Sequence, residues 1–464
     1  TCPTMYKSLA AIRPPKGSSR KPSFRMLRKL QRQTSYAMQF ESQDEADELL
    51  RDAESLSLLM QRTVESSTYT DAVSARAASY ICPVLRLPPR INHVQSQLRS
   101  LRDCLGVKHP QARKIRKVVD RVEATFFSAM PSEIMQMIDR DQSAIKLISD
   151  IPLEWLPVRG LPLALRHVVS RIPTTPGNLS FQQTLPREQI ALTMDFFSEI
   201  LVVRSFKESD PLRRHVEIAT SHYQLSNGQE LPVRFHDVCN STELIEAINE
   251  FDGAMMIYDG HGTHGRDDIA TLCLADESVN CWELSRKIKC PPIVFACGCD
   301  THRAEGSHLT TANAFLNAGA MSIIASAMPI YSDRASIFVG RLLFNIFEFV
   351  RPLITDGGYS IRFDRVFSSV QKMMYVSDFT WQLARTVGCE INSVQELQVE
   401  ASMSILAGEY DWFEKFLEAI GNRLGKQPGE IAKLGREALP FAECLKYFHL
   451  GNPDLVVIRP TEIP

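Results

Sequence analysis

No stretch of this 464-residue chain reaches the roughly 18 uncharged apolar residues that a membrane-spanning helix requires. The best candidate, 336–350, is broken by Arg341 and Glu348. Charge of one sign is lacking as well. The 52 Lys and Arg residues nearly cancel the 54 Asp and Glu residues, and a net charge of −2 argues against a general binder of nucleic acid or other polyanions. Paired cysteines are missing: the eleven present are scattered singly, and Cys82, Cys273 and Cys444 lie inside apolar segments. That usage fits reduced thiols in a cytosol rather than a secreted disulfide framework, so a cytoplasmic location is expected. No signal-peptide pattern is seen, and the first residue, Thr1 rather than Met, fits a processed or truncated chain.

What is present is an ordinary globular composition, 44% apolar and 23% charged, with length for two or three domains of about 150 residues each. Residues 1–40 carry nine cations, from Lys7 and Arg13 to Lys29 and Arg32, with no acid before Glu41 and with Pro14, Pro15, Gly17 and Pro22 among them. This reads as a solvated, disordered arm or linker, or else as a docking arm for RNA or an acidic partner. Residues 41–150 read as an α-helical accessory or regulatory region. Apolar residues recur there at three- and four-residue spacing over 44–64, 91–105, 110–126 and 132–147.

The pattern then changes, and residues 151–464 form one expected domain. From about 199, short apolar runs alternate with amphipathic segments: extended 199–205, amphipathic 210–220, extended 231–236, and helical 241–251 with Ser241 as candidate N-cap. Further strands are expected at 254–259, 292–297 and 321–325, and helices at 282–288, 310–317 and 334–350. Such alternation implies right-handed crossovers, hence an α/β fold with a mostly parallel sheet and helices on both faces.

Two of these runs deliver chemistry. The run Ala254 to Gly260 is followed by His261-Gly262, and Pro292 to Ala296 by Cys297. Both side chains therefore reach the carboxyl edge of the sheet, where open α/β sheets place their ligands. A thiol attacks only as thiolate, and a nearby imidazole can take its proton. This makes Cys297 the candidate nucleophile and His261 the candidate general base, later the acid that protonates the leaving amine.

The Gly-His-Gly and Ala-Cys strand ends resemble those of the caspase-like (clan CD) cysteine peptidases, in particular the CHAT domain and its separase-like relatives. The segment 305–320, then Ala325 to Pro329 and Asp333, is similar to the stretch after the cysteine in that family; Pro152 to Leu156 and Leu450 to Pro453 add to the likeness. The resemblance covers about 150–464. It implies a caspase-like fold, a cysteine endopeptidase without cofactor, an oxyanion hole from the backbone N–H groups of Gly262 and Cys297, and an acid at Asp333 that lines the S1 pocket; Asp300 and Glu305, in the loops beyond the nucleophile, are read as its helpers for a basic P1 residue. It also implies a protein substrate and a role in bacterial defence or regulated proteolysis; it says nothing about residues 1–150, whose helical and basic lead is read here as a region that holds the domain inactive or binds an activating protein or ligand. Asp333 could equally cap the helix expected from Arg334.

Rival readings stay open. His264 is the alternative base. Asp259 is near His261, although strand alternation leaves its aim undecided, and no third member that would orient the imidazole is evident. Cys297, Cys299 and His302 with His261 and His264 could form a zinc set, but they lack paired knuckles. Gly298-Cys299 departs from the family, which more often has an acid and a small residue there. A catalytically inactive CHAT-like scaffold is the reading from another functional class.

Overall fold

The computed structural model describes residues 22–23, 25–26 and 42–461, apart from 109, 175–176, 186, 265–268, 300, 305–307 and 391. The basic arm, Asp300 and Glu305 thus lie wholly or mostly outside the described residues. The architecture is α/β, organised around one eight-stranded sheet. In chain order its strands are β1 (Ile145–Ile148), β2 (Val169–Ile172), β3 (Ile200–Arg204), β4 (Val233–Asp237), β5 (Met255–Asp259), β6 (Ile293–Ala296), β7 (Ser322–Ser326) and β8 (Tyr447–Gly451). Their spatial order is β1-β2-β8-β7-β6-β5-β3-β4.

Strands β3, β5, β6 and β7 are buried at every residue, which is why they read as continuous apolar runs rather than alternating ones. All pairings from β4 across to β7 are parallel. Strand β8 pairs antiparallel with β7 and parallel with β2, so the three strands on that side run against the other five. The sheet is therefore mostly parallel within each half and reverses once.

The structure corrects two expectations. The periodicity over 132–147 ends early: the helix is Ser132–Arg140, and Ile145–Ile148 is an edge strand of the main sheet. The helix expected to begin at Ser241 does so, but Asn240 is its N-cap, its side chain accepting from the Thr242 and Glu243 amides.

The helical N-terminal region joins the same body, Arg436 of helix Pro428–Ala438 donating to Glu123 at 2.7 Å. Leu98, Leu101, Val119, Val122 and Phe126, from helices Gln95–Leu105 and Ala112–Ala129, belong to the same apolar core as Val202, Ile257 and Phe295 of the sheet. The long helix Ala53–Ser79 is tied down at its end by buried Arg76, which donates 2.9 Å hydrogen bonds to the Gln183 carbonyl and to Asn452 Oδ1. Among the described residues no helix is long and apolar enough to cross a membrane.

Candidate active site

The carboxyl ends of β3, β5 and β6 meet in one small pocket, walled on the other side by the segment 206–216 and by the first turn of helix Ser332–Asn345. Cys297, His261, Asp259 and Cys299 line it together with His215 and the apolar side chains of Phe206, Leu212 and Val216. The expected thiol and imidazole are thus brought to one cavity.

Glycines make the approach possible. A Cβ at Gly260 would collide with Ser205 Oγ, one at Gly262 would lie 2.9 Å from the Cys299 carbonyl, and one at Gly298 would lie 2.7 Å from the Gly260 carbonyl. The chain after β5 and the chain after β6 pass one another backbone to backbone, which only glycine permits. Past this crossing, His261–His264 begins a small antiparallel sheet with Ala270–Cys273 and Ser278–Asn280. His261 is therefore the first residue of a new strand rather than the frayed end of the preceding one.

The imidazole is half exposed and fixed from two sides. Its ring stands edge-on to Phe206 with centroids 4.9 Å apart. Its Nε2 lies 2.9 Å from Asp210 Oδ2. Asp210, 51 positions earlier in the chain, also caps the short helix Pro211–Arg214 by accepting from the Leu212 amide at 2.9 Å. Burial alone would raise this carboxyl, but the Leu212 amide and the His261 ring outweigh it and hold Asp210 below the usual carboxylate range. An ionised Asp210 accepts from Nε2–H and leaves Nδ1 as the basic ring nitrogen. This orienting acid was not found from the sequence, since nothing local links Asp210 to His261.

Cys297 contrasts with its partner: it is only 8% exposed. Its N–H donates to the Tyr258 carbonyl at 2.9 Å, continuing the β5–β6 ladder one step beyond Ala296. Of the two amides expected in an oxyanion hole, the Cys297 amide is therefore engaged in the sheet. Burial pushes the thiol well above its ordinary value, and Asp259 and Cys299 add to the rise. The resting sulfur is a thiol. Among the described residues it makes no hydrogen bond to His261, so proton transfer between them requires the pocket to be occupied or rearranged.

Asp333 does not cap a helix. The helix begins at Ser332, two positions before Arg334, with Tyr331 as N-cap and no side-chain cap, and Asp333 is exposed in its first turn. Ile330, Ser332 and Ala335 line the pocket, while Asp333 stands on its outer side. The zinc set is not assembled. Cys299 Sγ donates to the Ile330 carbonyl, and His302 is buried away from the pocket against Phe448 with Nδ1 3.3 Å from Thr310 Oγ1. Burial, with Arg171 nearby, pushes His302 down to about 3. Among the described residues no three His, Cys, Asp or Glu side chains form a group that could hold a metal ion. The backbone of His264 pairs with Ala270 in the small sheet.

No family model matches the chain, and no curated protein matches it. Among solved structures it is similar to the complex of Porphyromonas gingivalis RgpB pro- and mature domains, with a TM-score of 0.37 and 11% identity over 80% of this chain and 78% of that one. Likeness at that level defines neither a shared fold nor a shared chemistry.

Proposed function

We propose that the chain is a cysteine endopeptidase of the caspase-like, CHAT type, acting on a specific protein partner. The observation that carries this reading is the meeting of Cys297 and His261 in one pocket at the carboxyl edge of the sheet, with Asp210 holding the imidazole. Cys297 Sγ gives its proton to His261 Nδ1 and attacks the scissile carbonyl. The imidazolium protonates the leaving amine, and water then hydrolyses the thioester with His261 again as base. The Gly262 N–H is the oxyanion donor of this scheme, joined by the Cys297 amide if it leaves Tyr258.

A basic P1 residue would be favoured by the exposed Asp333 carboxylate beside the pocket. The mainly helical N-terminal region, 41–150, is the surface through which a protein or ligand would switch the pocket on, since the resting thiol is buried. A cytoplasmic setting and a part in bacterial defence or regulated proteolysis complete the reading; no cofactor enters it.

The test is a peptide library incubated with the whole chain, Cys297→Ala and His261→Ala. Cleavage should fall by about four orders of magnitude in Cys297→Ala and nearly as far in His261→Ala, with basic P1 residues preferred. Cleavage that survives Cys297→Ala would end the proposal. The burial of Cys297 favours a second reading, a scaffold whose pocket does no chemistry. Covalent capture of Cys297 by a peptide bearing a thiol-reactive warhead would exclude that scaffold.

A further inference from the structure

One side chain of the pocket has no role in the peptidase scheme. Asp259 ends β5 and is 5% exposed, yet its Oδ2 has no hydrogen-bond partner. A buried carboxyl oxygen without a donor is unusual in a folded protein, because desolvation is then uncompensated. The register accounts for its neighbours. Arg204 of β3 pairs with Asp259 of β5 on one side and with Asp237 of β4 on the other. Tyr258 pairs with Ala296, so Cys297, one residue further, stands beside Asp259 on the adjacent strand. Residues of one rung share a face of a sheet, and both of these line the same pocket.

The cation of this rung is engaged elsewhere. Arg204 donates to both oxygens of Asp237 at 2.6 and 3.0 Å and to Glu217 at 3.1 Å. The other ionisable groups facing the same cavity are His261, His215 and Cys299, with Asp210 behind His261. None of them makes a hydrogen bond with Asp259 Oδ2. Burial pushes this carboxyl up to about 7, Arg204 acting the other way, and the charge of Asp259 in turn pushes the Cys297 thiol up. Two negative charges on neighbouring buried strand ends repel strongly, as in any pair of acids sharing one site.

We propose that Asp259 is a proton gate on Cys297: the thiolate forms readily only while the Asp259 carboxyl keeps its proton, and ionisation of Asp259 holds the sulfur as thiol. In the competent state the Cys297 proton passes to His261 and the Asp259 proton stays, so the rung carries one negative charge. The neutral acid, whose O–H lacks an acceptor at rest, can then donate to the thiolate. Asp259 is in this sense a positioning residue for charge, acting through the sulfur. The proposal rests on Cys297 being the reactive thiol of the proposed peptidase, but its test does not need peptide cleavage.

The intact chain is alkylated with iodoacetamide across the range from about pH 5 to about pH 9, and modification of Cys297 is followed by peptide mass mapping. In the wild type the logarithm of the rate should rise, flatten near neutral pH as Asp259 ionises, and rise again. Asp259→Asn should give an unbroken rise and react about tenfold faster at about pH 8. Imidazole titration could produce a similar shoulder, so the profile is repeated in a variant carrying both His261→Ala and His215→Ala, where the shoulder should persist. That variant decides the matter if Asp259→Asn fails to fold. A straight profile in the double-histidine variant, or the same shoulder with and without Asp259, overturns the gate. A gate observed in a chain that cleaves no peptide would leave the inference standing and remove the peptidase reading instead.

Discussion

Glu154 and Asp259 are both buried acids of the same α/β body, 4% and 5% exposed, and they are treated in opposite ways. Glu154 sits under the reversed half of the sheet, where Arg171 of β2 clasps both its oxygens, with Nε to Oε1 at 2.7 Å. The Arg171 guanidinium also donates to the Ile151 carbonyl and lies over the Phe448 ring, 4.4 Å from its centroid. Asp259, under the parallel half, has an oxygen with nothing to accept from and a thiol for a neighbour. Where a buried charge is fully clasped it serves the fold. Where it is left unclasped beside a thiol, burial instead pushes the acid up toward neutrality.

The largest effect should come from unclasping the first acid. Glu154→Ala leaves the Arg171 guanidinium buried without its carboxylate, and removing one member of a buried pair costs about 3–5 kcal/mol. Chemical denaturation should show that loss. A loss below about 1 kcal/mol would mean that water reaches Arg171 and that the two halves of the molecule are not so different.

Much of this contrast was legible in the chain, and the missing part has a physical cause. The runs ending at Asp259 and Ala296 are apolar because both faces of those strands are covered, so the sheet edge holding His261 and Cys297 could be located from composition. Strand β1 was hidden because Ile145 and Leu147 continue the spacing of the helix before them. Strand β8 lies 121 positions after the end of β7 at Ser326, and no local pattern states that it will insert beside β7 and reverse the sheet. Asp210 reaches His261 only through the fold. Asp259 was visible as a residue, but an oxygen without a donor is a property of packing, and sequence does not record packing.

A smaller effect should follow from freeing the imidazole on the parallel side. Asp210→Ala removes the acceptor at Nε2 and a helix cap together, while Asp210→Asn keeps the cap and reverses the polarity of the contact. Peptide turnover should fall by about a hundredfold in both, through kcat rather than KM, because orientation of a base matters most in the transition state. Equal loss in the two variants separates imidazole orientation from capping. If Asp210→Asn turns over peptide like the wild type, the 2.9 Å contact is a resting-state feature only.

The smallest change concerns the unclasped acid and stability rather than rate. An aspartate whose value rises from 3.8 to about 7 on folding binds a proton in the native state that the unfolded chain has already released. The native state is therefore weakened as pH rises from about 4 to about 7, and the loss levels off above that. Asp259→Asn has no such proton. Between about pH 5 and about pH 8 the wild type should lose about 2 kcal/mol more than the variant, since one proton held only by the native state is worth about 1.4 kcal/mol for each step of one in pH. Should Asp259→Asn keep the wild-type slope, Asp259 would be ionised and partnered in solution, and the two acids would belong to one structural class.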